Sequence, residues 1–256
     1  MGATHRGEKR GRAMNGEWLT TVTSLLAGVP LTLAITASTL LFSVLIGIGL
    51  SLLKTSRSKG LVLLTDGYLF VFRTVPVLVQ LFIVYYGAGQ FSFIRHSVLW
   101  PYFRDPLWCA IIVLSLYQAS YVCEVFRGGL RAVDNGMIEA GKSLGLSTVK
   151  IYRFIVFPLA LRQALPAYSN EVGRAIQVTS LTSTITLAEV TGIARTIISK
   201  TYSVFPVITV AGVIYIAITL VATGIIYRLE RHLTNYRHDK KSASQPHKLR
   251  AKNSAS

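Results

Sequence analysis

The sequence predicts an all-α, polytopic integral membrane protein with about five transmembrane helices. Three observations carry that expectation. Hydrophobic residues make up 51% of the 256 residues, yet the formal net charge is +16. The apolar residues gather in long, nearly uncharged runs, which a soluble domain seldom tolerates. The Lys and Arg residues fall between those runs, mostly in alternate connections, as the positive-inside rule requires. Nucleic-acid binding is the rival account of so basic a chain, but the charges do not collect on one amphipathic face.

The first run, Gly28 to Leu53, has 26 residues. A signal peptide's apolar region has only about 7–15, so this run reads as a span. The second is Tyr68 to Ala88, preceded by a short apolar piece, Leu61 to Thr65. Arg73 sits near its cytoplasmic end, where it can snorkel. The third is Leu107 to Phe126. The fourth, Leu165 to Leu187, is much more polar. The fifth is Phe205 to Tyr227. At about 1.5 Å per residue each crosses a ~30 Å hydrocarbon layer, the longer ones by tilting.

Loop charge orients these spans. Lys54–Lys59, Arg127–Ala164 and the tail from Arg228 together carry 17 Lys and Arg; Gly89–Pro106 and Ala188–Val204 carry two each. The first group, including the C-terminus, is therefore expected in the cytoplasm. The N-terminus then faces the periplasm, against the pull of Arg6, Lys9, Arg10 and Arg12. A functional start at Met14 removes that conflict. The organisation read here is a leader over 1–24, a membrane domain over 25–231, and a basic tail over 232–256. That tail is expected to be disordered or to lie on anionic headgroups. Cys109 and Cys123 share one helix, roughly 21 Å apart along its axis, too far for a mutual disulfide. They read as small apolar residues, and no metal site is expected.

Gly136 to Ser143 reads GMIEAGKS, a formal match to the phosphate-binding loop G-x-x-x-x-G-K-[ST]. Such a loop needs a short buried strand before it, a helix after it, and a later acidic residue for Mg²⁺. Here a membrane-length run precedes it, and the only Asp after Ser143 is Asp239. A membrane-bound ATP-binding enzyme is therefore disfavoured.

The same stretch supports a different reading. Glu139 to Pro158 reads EAGKSLGLSTVKIYRFIVFP. Glu139, Ala140, Gly145, Ile155 and Pro158 fall in register with E-A-A, three residues, G, nine residues, I-x-L-P. Gly141 stands where that pattern has Ala, and Phe157 where it has Leu. The stretch resembles the EAA loop of membrane subunits of bacterial ATP-binding-cassette importers. Arg73-Thr-Val-Pro-Val-Leu-Val-Gln80 is similar to the polar-amino-acid branch motif R-G-T-P-L-x-V-Q, with Thr74 and Val75 departing. Tyr121-Val-Cys-Glu-Val-Phe-Arg-Gly128 resembles its A-E-x-x-R-G segment. Ala164-Leu-Pro-Ala-Tyr-Ser-Asn-Glu171 is similar to the segment after the coupling loop, and its wording looks most like subunits for basic amino acids and opines.

The resemblance implies a type I ABC importer permease in the bacterial inner membrane. Its partners would be a pair of cytoplasmic ATPases, a sister permease subunit or second copy, and a periplasmic solute-binding protein. This chain would bind no cofactor and hold no catalytic residue; ATP and Mg²⁺ would belong to the partner ATPase. The coupling loop, 134–163, would be a helix from Asn135 to Leu144, a turn at Gly145, and a second helix capped by Ser147, with Lys150 and Arg153 facing solvent. Gly145 can take positive φ. Pro158 would end that helix or begin the next segment. A gradient-driven carrier acting alone is the third class considered, and it needs no such docking surface.

Polar residues within spans are functional candidates by default. Asn170, Arg174 and Gln177 recur at i, i+4, i+7 and share a helix face, with Glu171 one position round. A helix of this kind is expected to line a translocation path or a subunit interface. Glu171 either attracts the cationic end of a substrate or pairs with Arg174 one turn on; the pair is the preferred reading. Tyr117, Tyr121 and Glu124 share a face of the third span, and Glu124 is expected to pair with Arg127 and orient the coupling loop. Glu189 and Arg195 are expected to be solvated in the external segment, with contact to a binding protein as the alternative.

Overall fold

The computed structural model describes residues 18–56 and 58–234. The Met14 start, the leader as far as residue 17 and the tail from residue 235 lie outside them. Among the described residues every regular element is helical. Helix α1 covers 18–26 and turns at 27–28 into α2, Val29–Lys54. Then come α3, Lys59–Thr74, α4, Val77–Gly87, and two short helices, α5, Ser92–Arg95, and α6, Trp100–Arg104. The remaining helices are α7, Pro106–Arg131, α8, Asn135–Ser143, α9, Thr148–Ile151, α10, Phe157–Thr179, α11, Val190–Thr201, and α12, Val204–Thr234.

Three stretches are long and apolar enough to cross a membrane: Trp18–Lys54, Pro106–Arg131 and Val204–Arg228. A fourth passes only as a bent pair, Lys59–Thr74 with Val77–Gln90, folded by 99°. This corrects the reading of the second span. The helix begins at Lys59, not Tyr68, because Asp66 is no breaker: its carboxylate pairs with Lys54 Nζ at 2.9 Å. Arg73 consequently falls in the last turn of α3, roughly 20 Å along the axis from its start. The fourth expected span is corrected too. α10 starts at Phe157 and stops at Thr179, and Ser180–Ile185 tightens to a 3-10 turn.

The chain divides into two compact units, Met1–Glu124 with Glu171–Val221, and Val125–Asn170 with Ala222–Ser256. In the first, α2 shows an inverted amphipathicity. Its buried face is Thr32, Ile35, Thr36, Thr39, Ser43, Gly47 and Ser51. Leu33, Leu41, Phe42, Leu45 and Leu52 face outward. Lipid solvates leucine as well as a protein core does, so nothing drives leucines inward; small residues inside let backbones approach. At Gly47 an added Cβ would lie 2.8 Å from Val122 and 3.0 Å from the Ala119 carbonyl, so α2 and α7 are in direct backbone-scale contact there. The inward hydroxyls of Thr32 and Thr36 bond back to the carbonyls of Gly28 and Thr32, at 3.1 and 2.8 Å. One apolar cluster joins Ile35, Leu81, Val113, Leu114 and Ile185. A second joins Leu25, Val190, Ala194, Val207, Ala211 and Ile214.

The sharp bend after α3 has an identifiable cause. Pro76 cannot donate to the α3 ladder, which leaves carbonyls at its end without helical partners. Gln80 supplies the missing donor: its Nε2 bonds the carbonyl of Phe72 at 3.0 Å and that of Val75 at 2.7 Å. The Pro76 and Gln80 of the sequence motif are thus two halves of one device. Gln80→Leu keeps the volume but strands both carbonyls, and should cost on the order of 1–3 kcal/mol. Thermal denaturation of the detergent-purified protein should show the midpoint fall by several degrees; an unchanged midpoint would remove Gln80 from this role.

Candidate functional site

The second unit contains the EAA-like segment. Asp134 caps α8, its Oδ1 accepting from Gly136 N–H at 3.0 Å. Gly136 to Ser143 is therefore helical, with no strand before it, and cannot form a phosphate-binding loop. α8 ends in a Schellman turn: Leu146 N–H bonds the Gly141 carbonyl at 3.1 Å, and Gly145 N–H bonds that of Lys142 at 2.9 Å. Gly145 sits at φ +73, where a side chain is strained, with open space around it.

The motif residues divide by face. Glu139 and Ala140 are exposed, whereas Gly141 is buried. A Cβ on Gly141 would lie 3.0 Å from Ile155 Cδ1 and 3.1 Å from Ile151 Cγ1, so Gly141 is the contact that folds the two arms of the loop together. Met137, Leu144, Val149, Tyr152 and Phe154 are exposed, alongside exposed Lys150 and Arg153. One expectation needs correction. Ser147 stands at the N-cap of α9 but its hydroxyl makes no capping bond; its carbonyl accepts from Ile151 N–H at 2.9 Å instead. Of the two readings of Pro158, the structure has the second: it is the second residue of α10 and begins that segment. The chain passes from α9 through a π-helical turn, Tyr152–Val156, into α10, and such a turn accommodates a residue that lacks an N–H.

The first unit contains the polar cluster. On α10, Gln177 is exposed and Arg174 is half-buried; Asn170, also exposed, is the last α10 residue of the second unit. Glu171 is buried. Its carboxylate accepts from Gln118 Nε2 at 2.9 Å and lies 3.4 Å from Arg174 Nη1. Gln118 Nε2 also reaches the Glu171 carbonyl at 3.2 Å. The Arg174 guanidinium lies over the Tyr121 ring, 4.2 Å from its centroid. Arg73, from the last turn of α3, lies over the same ring at 5.2 Å. Tyr117 donates to the Tyr121 hydroxyl at 3.3 Å. Sequence reasoning brought together Glu171 with Arg174, and Tyr117 with Tyr121. It missed Gln118 and Arg73, which meet the cluster only through tertiary packing.

Glu124 is held by Lys54 at 2.8 Å, and the same ammonium binds Asp66. Lys54 is a partner the sequence reading did not supply; it ties α2, α3 and α7 at one level. Glu189 is also corrected. It is fully buried, not solvated. Its carboxylate caps α11, accepting from Thr191 and Gly192 N–H at 2.9 Å each and from Tyr215 Oη at 2.6 Å. Arg195, by contrast, is exposed. Cys109 and Cys123 are buried and neither forms a disulfide. Among the described residues no group of three His, Cys, Asp or Glu side chains is placed to hold a metal.

Residues 43–235 match the binding-protein-dependent transport system inner membrane component family. The chain belongs to that family. It is 42% identical over 229 residues to the octopine transport system permease protein OccM of Rhizobium radiobacter, covering 90% of this chain and 93% of the relative. The nopaline transport system permease protein NocM of Agrobacterium fabrum is 46% identical over 207 residues, covering 80% and 86%. The histidine/lysine/arginine/ornithine permease HisM of Salmonella typhimurium is 36% identical over 205 residues, covering 80% and 87%. The crystal structure of an amino acid ABC transporter with histidines superposes with a TM-score of 0.74 at 29% identity, covering 84% of this chain and 96% of that one. The chain is therefore an inner-membrane permease subunit with the ABC-importer fold, a transport component and not an enzyme.

Burial pushes the Glu189 carboxyl above the usual carboxylate range, and its three donors only partly pull it back. A carboxyl raised in the fold contributes stability that is present below the unfolded value near 4.3 and is lost as pH rises through the folded one. Glu189→Gln lacks this titration. The wild type's thermal advantage over that variant should shrink as pH rises from about 4 to 8. A difference independent of pH would show that Glu189 keeps the same charge across that range.

Proposed function

We propose that this permease carries a polar amino acid, a basic amino acid or an opine, into the cytoplasm, and that a separate ATPase drives it through the 139–158 segment. The observation that carries the coupling reading is the division of faces in the loop. Gly141 clamps the two arms from inside, while Glu139, Ala140 and the apolar residues Met137, Leu144, Val149, Tyr152 and Phe154 are left outside. Exposed apolar side chains in a segment too charged to lie in lipid suit a protein partner. Loop charge supports a cytoplasmic position for this segment and the C-terminus, with a periplasmic N-terminus.

The partners that accompany this reading are two ATPase subunits, a sister permease or second copy, and a periplasmic solute-binding protein. ATP and Mg²⁺ are used by the ATPase. The substrate class rests on the names of the relatives, which span octopine, nopaline, arginine and histidine/lysine/arginine/ornithine systems. The exposed stripe of Asn170, Arg174 and Gln177, with Glu171 behind it, is proposed to line the path. Two arguments support this: a stripe so polar is costly against lipid, and Glu171 is fixed by Gln118 and Arg174 while Asn170 and Gln177 are exposed.

Purification of the tagged chain in mild detergent, followed by mass spectrometry, should recover a cytoplasmic ATPase. Recovery of a lone chain that transports substrate without ATP would overturn the coupling reading. Gly145 gives a sharper test. Valine there meets no neighbour but is strained by roughly 1–2 kcal/mol in the left-handed region, where asparagine is tolerated. Gly145→Val should insert normally yet lose most uptake, with ATP hydrolysis no longer responding to substrate; Gly145→Asn should restore uptake. Normal uptake in the valine variant would exclude this turn from coupling.

A further inference from the structure

The polar cluster of the first unit has an unbalanced charge. Arg73 from α3 and Arg174 from α10 both lie on the ring of Tyr121 from α7, at 5.2 and 4.2 Å. Among the described residues the one carboxylate set against them is Glu171, 3.4 Å from Arg174 and near enough to Arg73 to feel its charge. That carboxylate is already engaged by Gln118 and its side chain is only 8% exposed, whereas the Arg174 side chain is 39% exposed and Arg73 is exposed. Two guanidinium groups therefore share one buried anion.

Both guanidinium carbons lie over the Tyr121 ring, at 5.2 and 4.2 Å from its centroid. A guanidinium in that position is attracted to the ring quadrupole, an interaction that does not consume its N–H donors. Those donors form a planar fork matched to a carboxylate, and Arg presents it with little loss of rotamer freedom. Each arginine is thus held at the ring, and Glu171, 3.4 Å from Arg174 Nη1, takes only one of the five N–H donors of that guanidinium. A plain basic amino acid, with one carboxylate and an added cation, suits this surface poorly. A ligand with a second carboxylate balances it.

We propose that the Arg73–Tyr121–Arg174 stack reads carboxylate groups, so that this chain selects amino-acid derivatives bearing two carboxylates over simple basic amino acids. The inference rests on the reading that α10 lines the translocation path. Glu171 acts in it as a positioning residue that steers Arg174, leaving the donor edges to meet the ligand.

The test is equilibrium binding to the detergent-purified transporter complex without its solute-binding protein, so that only the membrane subunits report. The probes are arginine and its Nα-carboxymethyl derivative, which share the guanidinium and differ by one carboxylate. The wild type should bind the carboxymethyl probe roughly tenfold tighter or more, as expected for an added charge-assisted contact. Arg73→Gln and Arg174→Gln should each bring the two affinities close together, mostly by weakening the carboxymethyl probe. Tyr121→Phe, which keeps the ring face, should retain the preference. Co-elution with the ATPase controls for assembly of each variant. Equal affinities in the wild type would overturn the proposal while leaving the path reading intact. So would glutamine variants that weaken both probes alike. Binding of neither probe to the wild type would overturn both.

Discussion

Lipid offers no hydrogen-bond partner to a backbone, and every break in a helix at membrane depth has to be repaired from within the protein. The breaks in this chain follow that rule. The 99° bend between α3 and α4 is possible because Gln80 turns its amide back onto the carbonyls of Phe72 and Val75. The end of α10 is repaired differently. Hydroxyls of Thr179, Ser180, Thr182, Ser183 and Thr184 each bond a carbonyl three residues back, from the last turn of the helix through the 3-10 segment. Glu189 then closes the start of α11 with its own carboxylate. Where sequence alone shows a polar, Ser/Thr-rich stretch, the structure shows hydroxyl and carboxylate groups doing the satisfying that water does elsewhere.

Repair of the breaks also sets where charge goes. Because α3 stops at Pro76, Arg73 lies in its final turn and reaches Tyr121. Had the helix begun at Tyr68, Arg73 would have sat in its second turn, nearer the headgroups. The polar cluster thus depends on the bend, and the bend on one glutamine. Lys54 plays the complementary part nearer the start of α3, where a single ammonium serves Asp66 and Glu124. Breaking such a partly buried arrangement leaves a carboxylate unpaired in low dielectric, which costs more than the bond itself contributes.

The sequence made the class of fold legible because apolar length and loop charge are properties of the lipid boundary, and both survive without tertiary detail. The 139–158 segment was legible for a related reason. Gly145 must take positive φ, and Gly141 must admit Ile151 and Ile155, so its requirements are local and leave marks in residue type. The misreadings share the opposite origin. The start of α3 at Lys59 was hidden because the partner of Asp66, Lys54, is on another helix. Glu189 looked solvated because glutamate is an unusual N-cap, and its third donor, Tyr215, lies 26 residues away. Sequence leaves open whether Pro158 ends one helix or begins the next, because a π-helical turn carries no sequence signal. Gln118 gave no signal, being one polar residue in an apolar run.

Thr186 shows what the end of α10 costs the fold. It sits at φ +74, an outlier for a β-branched residue, at the point where the 3-10 segment gives way to the approach to α11. A glycine would relieve it, and the chain instead places its glycine at Gly192, where the Leu187 carbonyl packs too closely to admit any side chain. The tight contact fixes the segment from one side and Val190 N–H, reaching Thr32 Oγ1 at 3.4 Å, from the other. Strain of this kind persists only where the surroundings over-determine the backbone. The segment is held bent between two anchors, the Gly192 contact and the Thr32 hydroxyl, so the strain at Thr186 is set by packing on both sides of it.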